Sequence, residues 1–375
     1  MKITGVKFYG LKYRLAKPLR FSIGTVTHRN FALVKVETDE GLTGWGETFV
    51  NFPFWALEER QVTVEKAIGP LLIGRDPLDP PATTNYLESS LYRLALQWGA
   101  KGPIYQAIAA ADIAMWDIKG QAMGVPIYHL LGARQPTPIP LYATGLDSTR
   151  VVDHALSCLA EGYSAVKVRV GFDERQDMDM VRAVCSAVRA AGTGKVYVDV
   201  NQAWTREQAK RLAPLVADSG ASWLEEPIPC DDLDGMTEIA SSITAPIAAG
   251  ENYFTSDEFR RAIAAGALRV AMPDITRAGG FTGMKKIAGT VRSQSLSCSP
   301  HHFGTDLGFV ASLHLMTAVP AGLEMLRDVS DCPLKREVIE GDLVVKNGTA
   351  WAPGGPGLGV RVDEKAVSRY LASSS

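Results

Sequence analysis

Apolar and polar residues alternate over the first part of the chain as they do in half-buried strands. Residues 2–9 and 31–38 (FALVKVET) place apolar side chains at every second position, which predicts antiparallel strands with one solvated face. The segment DEGLTGWGE that follows contains the glycines of a hairpin turn. From Trp55 onward the spacing becomes helical, most clearly over 103–124. We therefore predict an α+β module over residues 1–132.

Residues 133–340 follow a different rhythm, in which short apolar runs alternate with amphipathic stretches. The runs are IPLYATG, SAVKVRVG, KVYVDVN, SWLEE, PIAAG, LRVAMPD, SLSCSP and AGLEML. Eight strands at this spacing predict an α/β fold with a (β/α)8 barrel of the TIM type. Residues 341–375 are again short-stranded and rich in Gly and Pro. We expect this tail to return to the first module and complete it.

Composition excludes several classes of protein. The chain has 375 residues, of which 46% are hydrophobic and 21% charged, so a large packed core is expected. A net charge of −2 gives no reason to expect a nucleic-acid partner, and no apolar run is long enough to span a membrane. The start lacks the features of a signal peptide, and the five cysteines have no CxxC spacing. These features favour a cytoplasmic protein with free thiols.

Three carboxylates stand at the ends of successive predicted strands: Asp199, Glu225 and Glu251. Parallel strands of a barrel end on the same face, so these acids are expected to converge. Like charges in one cluster repel and raise each other's pKa, and a hard divalent cation relieves that conflict. Oxygen-only ligation favours Mg²⁺. A lone acid at a strand end is more often a helix cap, but three in order favour a metal site.

The other predicted strand ends also carry groups suited to chemistry. The second has Lys167 and Arg169, which share a face because strand side chains alternate. The later strands add an acid, a pair of histidines and another acid: Asp274, His301 with His302, and Glu324. Each of these residues also has a structural interpretation, either as a charged side chain on a solvated strand face or as a histidine that is hydrogen-bonded in the core. In a barrel of this type, active sites lie at this end of the strands.

This ordered set resembles the enolase superfamily, and within it the mandelate racemase-like subgroup that includes muconate lactonizing enzyme. The helical segment AADIAMWDIKGQAMGVPIYHLLG is similar to the signature of that subgroup. The resemblance implies an N-terminal α+β capping domain and a modified (β/α)7β barrel that carries one Mg²⁺ per subunit. It implies that this ion is held by the three carboxylates named above. It also implies a catalytic Asp274–His301 dyad, with His302 the less favoured histidine.

By the same resemblance, Lys167 matches the first lysine of a Lys-x-Lys motif, and Glu324 matches an acid that binds the substrate carboxylate. The chain departs from the motif at Arg169, where members of the subgroup often have a second basic lysine. Arginine stays protonated, so it is a poor proton acceptor and a good bidentate donor. With His301 as the single competent base, elimination is favoured over racemisation.

The expected reaction is Mg²⁺-dependent removal of the proton α to a carboxylate through an enediolate. Dehydration of an aldonate or aldarate to a 2-keto-3-deoxy acid is the leading hypothesis. A racemase, an epimerase or a lactone cycloisomerase is the alternative, and a non-catalytic metal-binding barrel is a third possibility. The substrate would be a small carboxylate. The apolar helix around 104–118 further suggests a homo-oligomer, between a dimer and an octamer.

Substrate specificity is expected from the capping module, through loops at 18–30 and 47–55 that close over the barrel mouth. The candidates for substrate contact combine polar and aromatic side chains. They are Arg20, Phe52 and Trp55 in these loops, with Asn201, Tyr142 and His302 at the strand ends. A mixed lid of this kind fits a polyhydroxy acid better than an aryl acid.

Overall fold

A three-stranded antiparallel sheet opens the chain in the computed structural model, which describes residues 1–22, 24–319 and 322–372. Its strands are β1 (Ile3–Phe21), β2 (Gly24–Thr38) and β3 (Thr43–Thr48), paired in that order. The predicted strands and the turn before β3 are confirmed. The predicted loop at 18–30 is wrong, because β1 and β2 continue as a long hairpin to Phe21 and Gly24, and Ile23 lies outside the described residues.

This hairpin extension forms because apolar residues continue along it and pack onto the barrel. Leu15, Phe21 and Val26 are buried together with Phe303 of the barrel. Pro18 and Gly24 gave the segment the composition of a loop, and tertiary packing outweighs that local signal.

Helices complete the capping domain and cover the sheet. They are α1 (Ala56–Val62), a π-helical segment (Thr63–Ile68), α2 (Gly69–Leu72), α3 (Pro80–Trp98), α4 (Lys101–Met123) and α5 (Ile127–Leu130). The predicted helix at 103–124 is α4, which ends at Gly124 with φ of 67° in the left-handed region. Glycine adopts this conformation without a Cβ penalty, and it terminates the helix.

Helix α4 is buried inside the chain along its middle. Every residue from Ile104 to Ile118 is buried, against β3, α3 and the barrel helix α11 (Gly280–Ser293). The apolar surface that suggested a homo-oligomer is therefore covered within one subunit, and that reason for self-association is wrong. In the described ranges, no helix is both long enough and apolar enough to cross a membrane.

Eight parallel strands form the barrel. They are β4 (Ile139–Thr144), β5 (Ala165–Arg169), β6 (Lys195–Asp199), β7 (Trp223–Glu225), β8 (Ile247–Ala249), β9 (Val270–Ala271), β10 (Ser297–Cys298) and β11 (Met325–Asp328). Each pairs with its neighbour in chain order as far as β10. The barrel closes because β11 pairs with β4 and a bridge joins Cys298 to Gly322. The predicted barrel with its capping domain is confirmed.

Seven helices follow the first seven barrel strands. They are α6 (Val151–Ala160), α7 (Glu174–Ala191), α8 (Arg206–Asp218), α9 (Leu233–Ser242), α10 (Ser256–Ala264), α11 and α12 (Asp306–Ala318). Inside the barrel, Tyr142, Tyr197 and Trp223 pack together as an aromatic layer. This layer forms the floor beneath the ends of the strands.

The tail contains α13 (Leu334–Glu337), β12 (Ile339–Gly341), β13 (Val344–Lys346), β14 (Thr349–Trp351), β15 (Val360–Val362) and α14 (Glu364–Tyr370). Strand β14 pairs with barrel strand β4. The last helix packs against β1, and the amide of Ala372 donates to the carbonyl of Gly10 at 2.8 Å. The end of the chain thus contacts both the barrel and the capping sheet.

Candidate active site

The ends of β5, β6 and β7 bring Lys167, Asp199 and Glu225 to one place. Parallel pairing sets Arg169 beside Asp199, and Asp199 beside Glu225. The ammonium of Lys167 lies 3.1 Å from Oδ2 of Asp199 and 2.6 Å from Oε1 of Glu225. All three side chains are buried. A cluster of two acids and a cation therefore sits directly above the aromatic floor.

Burial and mutual repulsion raise the pKa of Glu225 to about 7, with Asp199 as the neighbouring charge. Burial alone would lower the pKa of Lys167, but the charges of Asp199 and Glu225 raise it above its usual value. Lys167 is thus a protonated donor in this arrangement. The indole of Trp223 also donates to Oε2 of Glu225, at 3.3 Å.

His301 lies between two carboxylates on the facing side of the barrel. Its Nδ1 is 2.7 Å from Oδ2 of Asp274, and its Nε2 is 2.9 Å from Oε2 of Glu251. The other oxygen of Asp274 accepts from the amide and hydroxyl of Thr276 at 2.8 and 2.7 Å. Burial would lower the pKa of His301, but Glu251 and Asp274 raise it to about 9. Asp274 therefore helps to fix the orientation of the imidazole, and Glu251 and Asp274 together favour its charged form.

Arg169 reaches the same space from β5. Its guanidinium lies 4.5 Å from the ring centre of Phe21 and 5.1 Å from that of Phe303. Its Nε is 3.9 Å from Oδ2 of Asp199 and has no hydrogen-bond partner in the described part of the chain. Two aromatic faces thus hold a planar donor with unused hydrogen-bonding capacity at the barrel mouth.

The backbone is unusual just after the two strands that carry Asp199 and Glu225. Asn201, Gln202 and Glu226 have φ values of 49°, 62° and 39°. Non-glycine residues rarely adopt positive φ, and such residues cluster at functional sites. The turn at Asn201 also lets its amide donate to Oδ1 of Asp199 at 2.9 Å. Local backbone geometry therefore helps to orient this carboxylate.

The chemistry of the three predicted ligands fits a hard divalent cation. Asp199, Glu225 and Glu251 offer only oxygen, and the raised pKa of Glu225 reflects crowded negative charge that a cation would relieve. As placed, Lys167 and His301 engage these carboxylates. Across residues 1–22, 24–319 and 322–372, no three His, Cys, Asp or Glu side chains form a ready-made metal cluster.

A second set of polar residues supports Glu251, and sequence reasoning missed its main member. Arg277 places Nη1 3.5 Å from Oε1 of Glu251, and its Nη2 donates to Oδ1 of Asn252 at 2.6 Å. The amide of Asn252 in turn donates to both oxygens of Glu226, at 3.0 and 2.9 Å. Burial and the charge of Glu251 raise the pKa of Glu226 well above its usual value. Arg277 lies in a loop with no strand-end signal, so only the fold reveals it.

The predicted position of Glu324 is wrong. Strand β11 begins at Met325, so Glu324 precedes the strand and lies at the floor end of the barrel. Its Oε1 accepts from Lys195, the first residue of β6, at 2.6 Å. The predicted run AGLEML placed the strand too early, and Ala321 lies outside the described residues. The acid at the mouth end of β11 is Asp328, which is paired with Arg29 and Lys335.

Other predicted contact residues are scattered around the mouth. Tyr142 lies in the aromatic floor, and no described group is hydrogen-bonded to its hydroxyl. Asn201 lies at the end of β6, where its carbonyl accepts from Ser22 of the hairpin at 3.1 Å. His302 is buried next to His301, but its Nε2 is 2.9 Å from the carbonyl of Thr305 and its ring packs on Phe309. The side chain of His302 is therefore hydrogen-bonded within its own loop.

The three predicted substrate-contact residues of the capping domain differ in how far they are exposed to solvent. Phe52 packs edge-on against Phe21 at 5.0 Å between ring centres, within the apolar cluster over the mouth. Arg20 is exposed near the hairpin tip, 5.2 Å from the ring of Phe172. Trp55 is 66% exposed and precedes α1. The structure therefore brings Phe52 toward the site and leaves Trp55 facing solvent.

Comparison with known proteins agrees with this architecture. Residues 4–132 match the N-terminal domain of the mandelate racemase / muconate lactonizing enzyme family, and residues 150–366 match an enolase C-terminal domain-like model. The chain is 30% identical to D-galactarolactone cycloisomerase of Agrobacterium fabrum, over 99% of each chain. It is 33% identical to D-galactonate dehydratase of Ralstonia nicotianae, over 89% of each.

A solved racemase from Streptomyces coelicolor A3(2), with bound magnesium, superposes with a TM-score of 0.88 at 28% identity, covering 99% of this chain and 100% of that one. Sequence, domain order and fold agree over almost the whole length. The chain therefore belongs to the mandelate racemase / muconate lactonizing enzyme family of the enolase superfamily.

Proposed function

We propose that this protein dehydrates a sugar acid, an aldonate or an aldarate, to a 2-keto-3-deoxy acid. The observation that carries the proposal is the placement of His301 between Asp274 and Glu251, across the barrel from Lys167 and Arg169. One imidazole faces two cationic donors over a buried acidic cluster. Relatives named as D-galactonate dehydratase and arabinonate dehydratase support the same reaction class.

In the proposed reaction, Asp199, Glu225 and Glu251 would hold one Mg²⁺, which would supply Lewis-acid stabilisation of the substrate carboxylate. With Glu251 engaged in that role, Nε2 of His301 is available to take the proton α to the carboxylate. Asp274 keeps Nδ1 protonated and stabilises the imidazolium that results. The same imidazolium, or a neighbouring donor, then protonates the β-hydroxyl as it leaves as water.

The opposite wall supplies donors where negative charge develops. Lys167 is buried and protonated, and Arg169 has an unpartnered Nε among the described residues. Donors fixed in a water-poor site stabilise developing charge more strongly than they would in water. Because an arginine accepts a proton poorly, the wall opposite His301 has no second base of ordinary strength. This asymmetry favours elimination over 1,1-proton transfer.

A lactone cycloisomerase is the second candidate, because a relative that matches over 99% of both chains bears that name. An epimerase or racemase would need proton transfer on both faces of the α carbon. These candidates differ in substrate and mass balance. Dehydration converts an open-chain acid to a 2-keto acid with loss of water. A cycloisomerase that opens a lactone by eliminating the ring oxygen gives a 2-keto acid of unchanged mass, and a racemase or epimerase gives a stereoisomer with no keto group.

The test is incubation with a library of aldonates, aldarates and their lactones in the presence of Mg²⁺, with semicarbazide detection of 2-keto acids. Proton NMR in D₂O is recorded in parallel. The proposal expects 2-keto-3-deoxy product from at least one open-chain acid. Deuterium at the α carbon with no 2-keto product would favour a racemase or epimerase, and 2-keto product from a lactone but from no open-chain acid would favour a cycloisomerase. Absence of both from every compound would overturn the proposal.

A further inference from the structure

A buried glutamate of the capping domain is hydrogen-bonded to the loop that follows His301. Glu47 lies on β3, and its Oε1 accepts from the amide of Thr305 at 2.7 Å. Its Oε2 accepts from the hydroxyl of Thr305 at 2.8 Å and the amide of Gly308 at 2.9 Å. The side chain is 2% exposed. A carboxylate from one domain therefore binds free amides at the start of α12 in the other.

Two further capping-domain residues hold the same loop at Phe303. Its carbonyl accepts from Nη2 of Arg29 at 3.0 Å and from Nδ2 of Asn51 at 2.8 Å. Nη1 of Arg29 donates to Oδ2 of Asp328 at 2.9 Å, at the end of β11. The guanidinium also lies 3.9 Å from the ring centre of Phe303. These contacts hold the loop at a second point, two residues before Thr305.

His301 lies two residues before the segment 303–308, which the capping domain holds by these hydrogen bonds. Its amide donates to the carbonyl of Pro273 at 3.1 Å, which anchors it to the end of β9. The chain then passes through Phe303 to Thr305, where the capping domain holds it. The imidazole has hydrogen-bond partners at both nitrogens, so a small shift of the backbone changes both distances. The loop position thus sets the position of the proposed base.

We propose that Glu47 is a positioning residue that sets the placement of His301 by fixing residues 303–308 from the capping domain. This inference rests on the proposed function, in which His301 removes the α proton. A reacting group displaced by about 1 Å can lose about 10²-fold in rate. The capping domain would then control the chemical step itself.

The test compares Glu47→Gln with Asp117→Asn. Asp117 is also a buried acid of the capping domain that accepts two backbone amides, from Leu358 at 2.9 Å and Trp45 at 3.2 Å. It ties the capping domain to the tail and does not touch the loop after His301. In Glu47→Gln the amide group faces an N–H donor, so one of the bonds to Thr305 or Gly308 is lost.

For Glu47→Gln, the expected result is a fall in kcat of about 10²-fold with KM changed much less. Asp117→Asn should lose thermal stability and keep its kcat. Glu47→Asp, which keeps the charge on a shorter side chain, should show an intermediate kcat even if Glu47→Gln does not fold. Equal kcat in Glu47→Asp and Asp117→Asn would overturn the inference.

A measurement without substrate separates this inference from the proposed function. The imidazole nitrogens of ¹⁵N-histidine-labelled protein are recorded by NMR, with His301 assigned from its absence in His301→Asn. Glu47→Gln, or Glu47→Asp in its place, should shift the His301 signals, whereas Asp117→Asn should leave them at the wild-type positions. Unchanged His301 signals in the Glu47 variant would overturn the positioning role, whatever substrates the enzyme accepts.

Discussion

Nε2 of His301 lies 2.9 Å from Oε2 of Glu251, so the proposed base and a proposed metal ligand are in direct contact. Each stabilises the charged form of the other: the pKa of His301 is raised to about 9, and that of Glu251 is lowered. The contact means that proton removal and cation binding depend on the same carboxylate.

Cation binding should stabilise the folded protein, because it relieves repulsion among buried carboxylates. At a Mg²⁺ concentration a hundredfold above the dissociation constant, the gain is about 2.7 kcal/mol. Differential scanning calorimetry with Mg²⁺ and with EDTA measures it. Glu225→Gln should lose most of the gain, and Asp112→Asn, which removes a buried acid hydrogen-bonded to Thr84 and Thr282, should retain it. An equal Mg²⁺ effect in both variants would contradict the assigned ligands.

Arg169→Met should lower kcat/KM without changing the face of the substrate on which exchange occurs. Methionine keeps contact with Phe21 and Phe303 but removes the charged donor, and a lost charge-assisted hydrogen bond costs about 1.5–3 kcal/mol, or roughly 10–150-fold. The measurement is stereospecific deuterium incorporation at the α carbon. If wild type exchanged on both faces and the variant on one, arginine would be acting as a base.

The free energy of unfolding should fall as the pH rises from 4.5 to 7, and this fall should depend on Glu47. Burial raises the pKa of Glu47 from 4.5 to about 7, so the folded state binds more protons than the unfolded state in this range. The free energy of unfolding therefore decreases as the pH rises, by roughly 3 kcal/mol from this one group. Urea unfolding at several pH values, compared between wild type and Glu47→Gln, isolates the effect. Parallel pH curves for the two proteins would contradict it.

Glu324→Gln should leave catalysis intact, because the side chain contacts Lys195 at the floor of the barrel. Lys195 is half-exposed, so loss of this ion pair should cost less than about 1 kcal/mol. Steady-state kinetics and a melting curve are sufficient to check both points. A large fall in kcat with an unchanged melting temperature would show that Glu324 reaches the substrate.

Most of the fold could be predicted from the sequence, because the patterns that indicate its strands and helices are local and repeated. Strand-length apolar runs, amphipathic helices and Gly124 at the end of α4 each carry their own evidence. Where tertiary contacts determine the local structure, the local sequence pattern gave a wrong prediction. The hairpin tip around Phe21 has the composition of a loop but extends because it packs on Phe303.

The site was partly accessible for the same reason. Asp199 and Glu225 end their strands and Lys167 lies two residues before the end of β5, so their convergence follows from parallel topology. Glu324 was misplaced because a short apolar run does not define where a strand begins. Arg277 and Glu47 carried no strand-end signal, since their roles arise from contacts between segments distant in the chain.

The central claim is that His301 removes the α proton of a sugar acid. The most direct test is exchange of the α proton for deuterium, followed by NMR in D₂O with Mg²⁺ and an accepted aldonate, in wild type and in His301→Asn. The account predicts exchange or 2-keto-3-deoxy product in the wild type. In the folded variant it predicts a loss of at least about 10²-fold with Mg²⁺ binding retained. Exchange at the wild-type rate in His301→Asn would contradict the account.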